Sequence, residues 1–351
     1  MSRTLPRHLA IAVVAGVILW FLSGALGQFN DLQLATMAYL FCGVAGLTVL
    51  TGLNGQISLG HGALMAVGAY TTAKVLGDSG TGPPLAVALA LGTLAGALAG
   101  VLAGAAAARL RGPYLAGATL TLAVGLPAIT QRFPHYLGAD NGLSVAPPAP
   151  PLWLGETFPL ERWQACIACL GALIVYVLLA NLTRSRLGRS LRAVRDDEVA
   201  ARLAGINVAR TLVLAFVISS ACAGLAGGLL VVVTGVAAPG AFTLVLSVQL
   251  LTGAILGGLG RLLGAAIGAA LIVLIPQWAD DLSRGQNLSG GVQANLAIAV
   301  YGLVLILLMP LAPRGIMGAL ERVTGFWKER SRGDELRAES GEELHKEESV
   351  R

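Results

Sequence analysis

The chain has 351 residues, of which 55% are hydrophobic, 12% charged and 5% aromatic, with 46 glycines and a net charge of +5; its mean hydropathy is +0.74. Soluble domains carry about 25% charged residues. Half that density cannot cover a water-soluble fold of this size, and a balance of +5 is no nucleic-acid signal, so lipid is the expected solvent.

A bilayer core asks for about 20 apolar residues per helix. The first run, 9–26, follows Arg3, Arg7 and His8. It is longer than the core of a secretory signal and is expected to be a retained span. Further runs fall at 31–50, 57–77, 83–108, 114–131, 163–181, 211–236, 244–259, 262–279 and 292–310. The fold class is therefore an all-α polytopic membrane protein of about ten transmembrane helices. The pair 244–259 and 262–279 is divided at Gly257-Gly258-Leu259-Gly260.

Between the second and third runs lies Thr51-Gly52-Leu53-Asn54-Gly55-Gln56-Ile57-Ser58-Leu59-Gly60-His61-Gly62. Polar groups at membrane depth are costly and usually functional. Irregular backbone there survives only where it lines a cavity or is buried in protein. Asn54, Gln56, Ser58, Gly60 and His61 are candidates for the solute path; an ordinary cytoplasmic turn is the competing reading. Gly92, Gly96, Gly100 and Gly104 recur every fourth residue, and Gly260, Gly264 and Gly268 repeat the device. Such ridges allow close helix crossings. Arg111-Gly112-Pro113-Tyr114-Leu115 opens a run holding Thr119, Thr121 and Pro127. The two threonines join the path candidates, and Pro127 is expected to kink the helix.

Cys166 and Cys169 have a C-x-x-C spacing without a second Cys or His cluster, and read as small apolar residues on one helix. Loop 132–162 is rich in Pro and poor in Lys and Arg, whereas 182–210 holds Arg184, Arg186, Arg189, Arg192, Arg195, Arg202 and Arg210. Basic loops stay cytoplasmic. Parity then requires Arg261 and both termini to be cytoplasmic as well. Within the basic loop, Asp196-Asp197-Glu198 starts, and Arg202 with Gly205 ends, a short amphipathic helix over 196–204. Acids suit the positive helix start and Arg its negative end, Gly205 suits a positive-φ terminator, and Glu198 and Arg202 form an i,i+4 pair. Val199, Leu203 and Ile206 are expected along one apolar stripe.

Residues 1–320 are thus read as a permease domain. The alternating charges of 321–351, such as Glu342-Glu343 and Glu347-Glu348 against Arg337 and Lys346, suggest a disordered cytoplasmic tail. No phosphate-binding G-x-x-x-x-G-K-[ST] and no H-E-x-x-H occurs. No span holds an acid–base pair of the kind that proton-coupled carriers use. Uphill transport would draw its energy from another protein, and no catalytic residue, metal ligand or cofactor is expected in this chain.

Gly55-Gln56-Ile57-Ser58-Leu59-Gly60-His61-Gly62-Ala63 followed by Gly68-Ala69-Tyr70-Thr71, the block at 111–115, the loop 188–208, Gly257-Gly258-Leu259-Gly260 and Pro313-Arg314-Gly315-Ile316 together resemble the branched-chain amino acid ABC transporter permeases of the LivM type, in order over about 35–318. The resemblance implies a multi-pass subunit in a bacterial inner membrane. It implies a second permease, commonly forming a heterodimer, two cytoplasmic ATPases that bind the ATP, and a periplasmic solute-binding protein. It also implies a coupling segment at about 188–208 that docks on an ATPase, carried here by Arg195, Asp196, Asp197, Glu198, Ala200, Ala201, Gly205, Ile206 and Asn207. Gly138-Ala139-Asp140-Asn141-Gly142-Leu143 and Arg261 depart from the usual pattern and leave the substrate open. Permeases for urea and for other amino acids are similar, and a stand-alone secondary carrier is the alternative from another class.

Overall fold

A computed structural model of the chain describes residues 4–25, 27–77, 83–110, 112–151, 154–155 and 158–284, with short stretches between 299 and 318. The expected tenth run at 292–310 and the charged tail at 321–351 lie outside the continuously described residues, as do Arg111 and Arg314.

Helix α1 covers Thr4–Ala25 and α2 covers Gln28–Leu47, which runs on into a π-helical turn, Thr48–Leu53. After an irregular segment, α3 covers His61–Leu76, then α4 Leu85–Ala107 and α5 Pro113–Arg132. A short α6, Pro134–Leu137, leads to β1, Leu143–Ser144. Helix α7 is Leu160–Arg184, α8 Arg186–Asp196, α9 Glu198–Leu203 and α10 Val208–Thr234. Strand β2, Val236–Ala237, precedes α11, Leu244–Gly257, and α12, Leu262–Arg284.

Every expected run within the described residues is helical. By length and composition, five segments suffice to cross a membrane: Phe29–Leu53, Leu85–Ala107, Tyr114–Arg132, Leu160–Arg184 and Val208–Thr234. The second run continues to Leu53 rather than ending at 50, and the third begins at His61 rather than 57. At 1.5 Å per residue, 16-residue α3 and 14-residue α11 rise only about 24 and 21 Å.

Helix α10 is the central post, with Phe216, Leu229 and Val231 wholly buried. It packs most extensively on α4, then on α3 and α2. The glycine ridge explains the α4 contact. A Cβ on Gly96 would strike the Ser220 carbonyl and Gly224, and one on Gly104 would meet Val213 and Phe216. Backbones therefore approach where larger side chains would hold them apart. The opposite face of α4 presents Leu91, Leu94, Leu98 and Leu102 outward. Small residues inside and large apolar ones outside invert the soluble pattern and suit contact with acyl chains. Gly264 and Gly268 repeat the close approach against Gly257 and Gly253, folding α12 back along α11.

Two ends of the bundle are defined by contacts distant in sequence. At one end β1 pairs antiparallel with β2, Leu143 opposite Ala237, so the loop after α5 and the loop after α10 share a face. At the other, His8, Thr183, Arg184, Arg261 and Met317 surround one surface hollow. The start of the chain, the end of α7 and the α11–α12 turn therefore share the opposite face, in agreement with the parity argument that grouped Arg261 with the arginine-rich loop.

Candidate coupling and translocation site

The arginine-rich loop forms two helices, where one over 196–204 was expected. The chain breaks at Asp197, which is extended at φ −158° and ψ 112°, and its carboxylate accepts from the N–H groups of Val199 and Ala200 at 2.7 and 3.0 Å. An aspartate that caps a new helix cannot also lie inside one, which is why three consecutive acids divide the segment. Asp196 closes α8 and accepts from Nε and Nη2 of Arg195 at 3.0 and 2.9 Å. Glu198 opens α9 and pairs with Arg202 at 3.7 Å, the expected i,i+4 bridge.

The far end of α9 is a Schellman stop. Gly205 has φ +81°, its N–H donates to the Arg202 carbonyl, and the N–H of Ile206 donates to that of Ala201. Asn207 then caps α10 by accepting from the N–H of Arg210 at 3.0 Å. Ala201 is buried in a small cluster with Val194, Val208 and Leu212, and Ile206 rests against it. Ala200 faces outward. The expected stripe of Val199, Leu203 and Ile206 is therefore split. Ile206 turns inward, while Val199 and Leu203 are 66% and 86% exposed.

Arg195 turns toward the bundle. Its Nη1 donates to the Gly52 carbonyl at 2.6 Å. Gly52 lies in the π turn that ends α2, and a Cβ there would fall on the backbone of Gly260. The guanidinium thus joins α8 to the end of α2, and Gly52 in turn meets the α11–α12 turn. π turns frequently mark functional sites, and here the carbonyl released by the irregular turn has a charged donor.

Beyond Asn54 the chain is irregular through Gly60, and it is largely buried although Gly55 and Ile57 are exposed. Asn54, Ser58, Gly60 and His61 are inaccessible, and Gln56 is half-buried. The segment is held from two sides. The N–H of Leu59 donates to Thr119 Oγ1 on α5 at 3.0 Å, and that of Gly62 donates to Ser247 Oγ on α11 at 2.9 Å. Gly60 leaves room for the Thr119 carbonyl. The first turns of α3 and α11 therefore meet inside the bundle.

Several side chains of this segment have no hydrogen-bond partner: both amide atoms of Asn54, Oε1 of Gln56 and Oγ of Ser58. The backbone of Gly43 lies beside the His61 ring, yet neither ring nitrogen makes a hydrogen bond of normal geometry. Thr119 meets this segment, and Thr121 lies elsewhere on α5. It is exposed and bonds back to the Gly117 carbonyl at 3.1 Å. Two residues apart on a helix they point different ways, which their shared threonine identity concealed. Ser247 was missed, and its signal was that it is one of the few polar residues, with Gln249 and Thr252, within the apolar run 244–259.

A family model described as the permease component of branched-chain amino acid transport systems matches residues 30–309. The chain belongs to this permease family. It is a permease component of an ABC importer and no enzyme, and the family's breadth places it in a membrane as a multi-pass protein. The chain is 30% identical to the high-affinity branched-chain amino acid permease protein LivM of Salmonella typhimurium, over 82% of its own length and 69% of that relative's. It is 29% identical to LivM of Escherichia coli K12, over 90% and 76% of the two lengths. A shorter likeness, 34% over 35% of this chain and 41% of the relative, links it to LsrC, an autoinducer 2 import permease of Klebsiella pneumoniae. No solved structure matches it.

Proposed function

We propose that this permease forms a heterodimer with a second, related permease and imports branched-chain or closely related amino acids by alternating access across a bacterial inner membrane. Two ATPase subunits would supply the energy and a periplasmic binding protein the solute. Ten spans with both termini cytoplasmic satisfy the charge parity of the loops. The LivM relatives support the substrate class, and the LsrC likeness marks how far solutes range within related permeases.

The observation that carries the coupling role is the contrast within α8–α9. Val199 and Leu203 are apolar and exposed on a helix capped at both ends, while Arg195 in the same segment reaches into the bundle at Gly52. The exposed pair suits an apolar groove on an ATPase. Arg195 suits a link from that contact to the polar segment at 54–61. Asn54, Gln56, Ser58, His61 and Thr119 then border the solute path, where unpartnered polar atoms can exchange bonds with a passing solute.

The test is uptake of radiolabelled leucine into proteoliposomes holding both permeases and both ATPases, with binding protein outside. ATP-dependent uptake that disappears when the ATPases are omitted is the expected result. Uptake by this chain alone, driven by an ion gradient, would support the secondary carrier and overturn the proposal.

A further inference from the structure

A cleft of about 340 Å³ opens beside the coupling segment, a size within the range of small-molecule sites. Asn54 and Gln56 form one wall, Leu115 and Leu212 the apolar depth, and Val194 and Arg195 the wall supplied by α8. Asn54 is only 4% exposed. Its carbonyl and amino groups and Oε1 of Gln56 are buried without partners. Buried polar atoms usually have partners, so three orphans on one wall suit a ligand that satisfies them.

The chemistry of that ligand follows from the donors and acceptors. Two amide oxygens can accept from an ammonium, and the Asn54 amino group can donate to a carboxylate. The charged groups nearby are already engaged. Arg195 holds the Gly52 carbonyl and Asp196, Glu198 pairs with Arg202, and Asp197 caps α9. Both guanidiniums are thus engaged and offer nothing to a free anion, while Asp197, held only by neutral N–H groups, leaves the wall one net negative charge beside the ammonium end of a zwitterion. Leu115, Val194 and Leu212 suit an aliphatic side chain.

We infer that this cleft is a product-side site that takes a neutral aliphatic amino acid after it has crossed the membrane. The inference rests on the proposed amino-acid substrate. One wall is the coupling segment itself, so movement of α8 changes the cleft, and an occupant there opposes that movement. High internal amino acid would then slow the importer.

The test is equilibrium dialysis of radiolabelled leucine against the complex of permeases and ATPases, without binding protein and without nucleotide. The expected result is saturable binding of one leucine per copy of this chain. Leucinamide and isocaproate, each lacking one head-group charge, should fail to displace it. Asn54→Leu should weaken binding at least tenfold, and Leu115→Trp, which fills the apolar depth without touching the amides, should do the same. Melting of each purified complex reports whether it has folded. Absence of saturable binding at millimolar leucine, or unchanged binding in both variants, would overturn the site. ATP-driven uptake by the same wild-type preparation separates the two claims. Uptake without binding removes only the product-side site, whereas uptake of a different solute in place of leucine removes the substrate reading beneath it.

Discussion

Arg195 and Gly52 lie 143 residues apart and are joined by a hydrogen bond of 2.6 Å from guanidinium to carbonyl. Arg195 stands in the segment expected to meet an ATPase, and Gly52 stands at the mouth of the buried polar segment. Gly52 in turn rests against the backbone of Gly260. Three motifs that are separate in sequence are therefore in contact.

Gly52→Ala tests the middle of that unit. Its methyl would fall on the Gly260 backbone, which cannot rotate away as a side chain could. Overpacking of this kind costs about 1–3 kcal/mol. The melting temperature of the detergent-purified complex should fall and ATP-driven uptake should drop with it. Gly240→Ala, at a position with no heavy atom within 4 Å, should change neither.

The docking face makes a different prediction. Leu203→Glu places a charge where 86% of the side chain is exposed, so stability should move by no more than about 0.5 kcal/mol. Burying leucine in a partner contributes about 1.5–3 kcal/mol. Co-purification of the ATPases with the permease should therefore fall by about tenfold or more. Retention of the ATPases at wild-type stoichiometry would place the docking contact elsewhere.

The α4–α10 crossing should be intolerant of bulk. Gly96→Leu forces a side chain into the Ser220 carbonyl and Gly224, and reduced yield with a lowered melting temperature is expected. Gly117→Leu on α5, where no heavy atom lies within 4 Å, should express and melt as the wild type. Equal behaviour of the two would contradict the packing described for α4.

Ser247→Ala removes the acceptor of the buried Gly62 N–H, at a cost of about 1–3 kcal/mol. Thr36→Ala removes a hydroxyl that only bonds back to its own helix at Leu32. A drop in melting temperature is expected for the first and little change for the second.

Much of this was legible in advance, and the reasons differ by element. The spans follow from solvent, because about 20 apolar residues in a row admit few alternatives. The glycine ridges announced themselves by a period of four, and both proved to be crossings. Gly205 declared a positive φ from its place after Arg202. The division at Asp197 was harder to read, because an acid at a helix start and an acid that caps a second helix have the same composition. Arg195 is expected from the resemblance as a coupling residue, but its bond to Gly52 is not. Only tertiary contact reveals it, since its partner is a backbone carbonyl that carries no sequence signature. Ser247 was hidden for the same reason, because what it accepts is the Gly62 N–H. Thr119 and Thr121 share a residue type but not a helix face, since two positions along a helix turn by about 200°.

The most direct test of the account measures two rates in one preparation: leucine transported and ATP hydrolysed by the reconstituted complex carrying Arg195→Ala. Removing the guanidinium leaves Val199 and Leu203 in place for docking but cuts the link to Gly52. Hydrolysis should continue, while leucine moved per ATP should fall about fivefold or more, as expected for losing a charge-assisted bond of about 1 kcal/mol at a partly exposed site. An unchanged ratio of leucine to ATP in an intact complex would contradict the account.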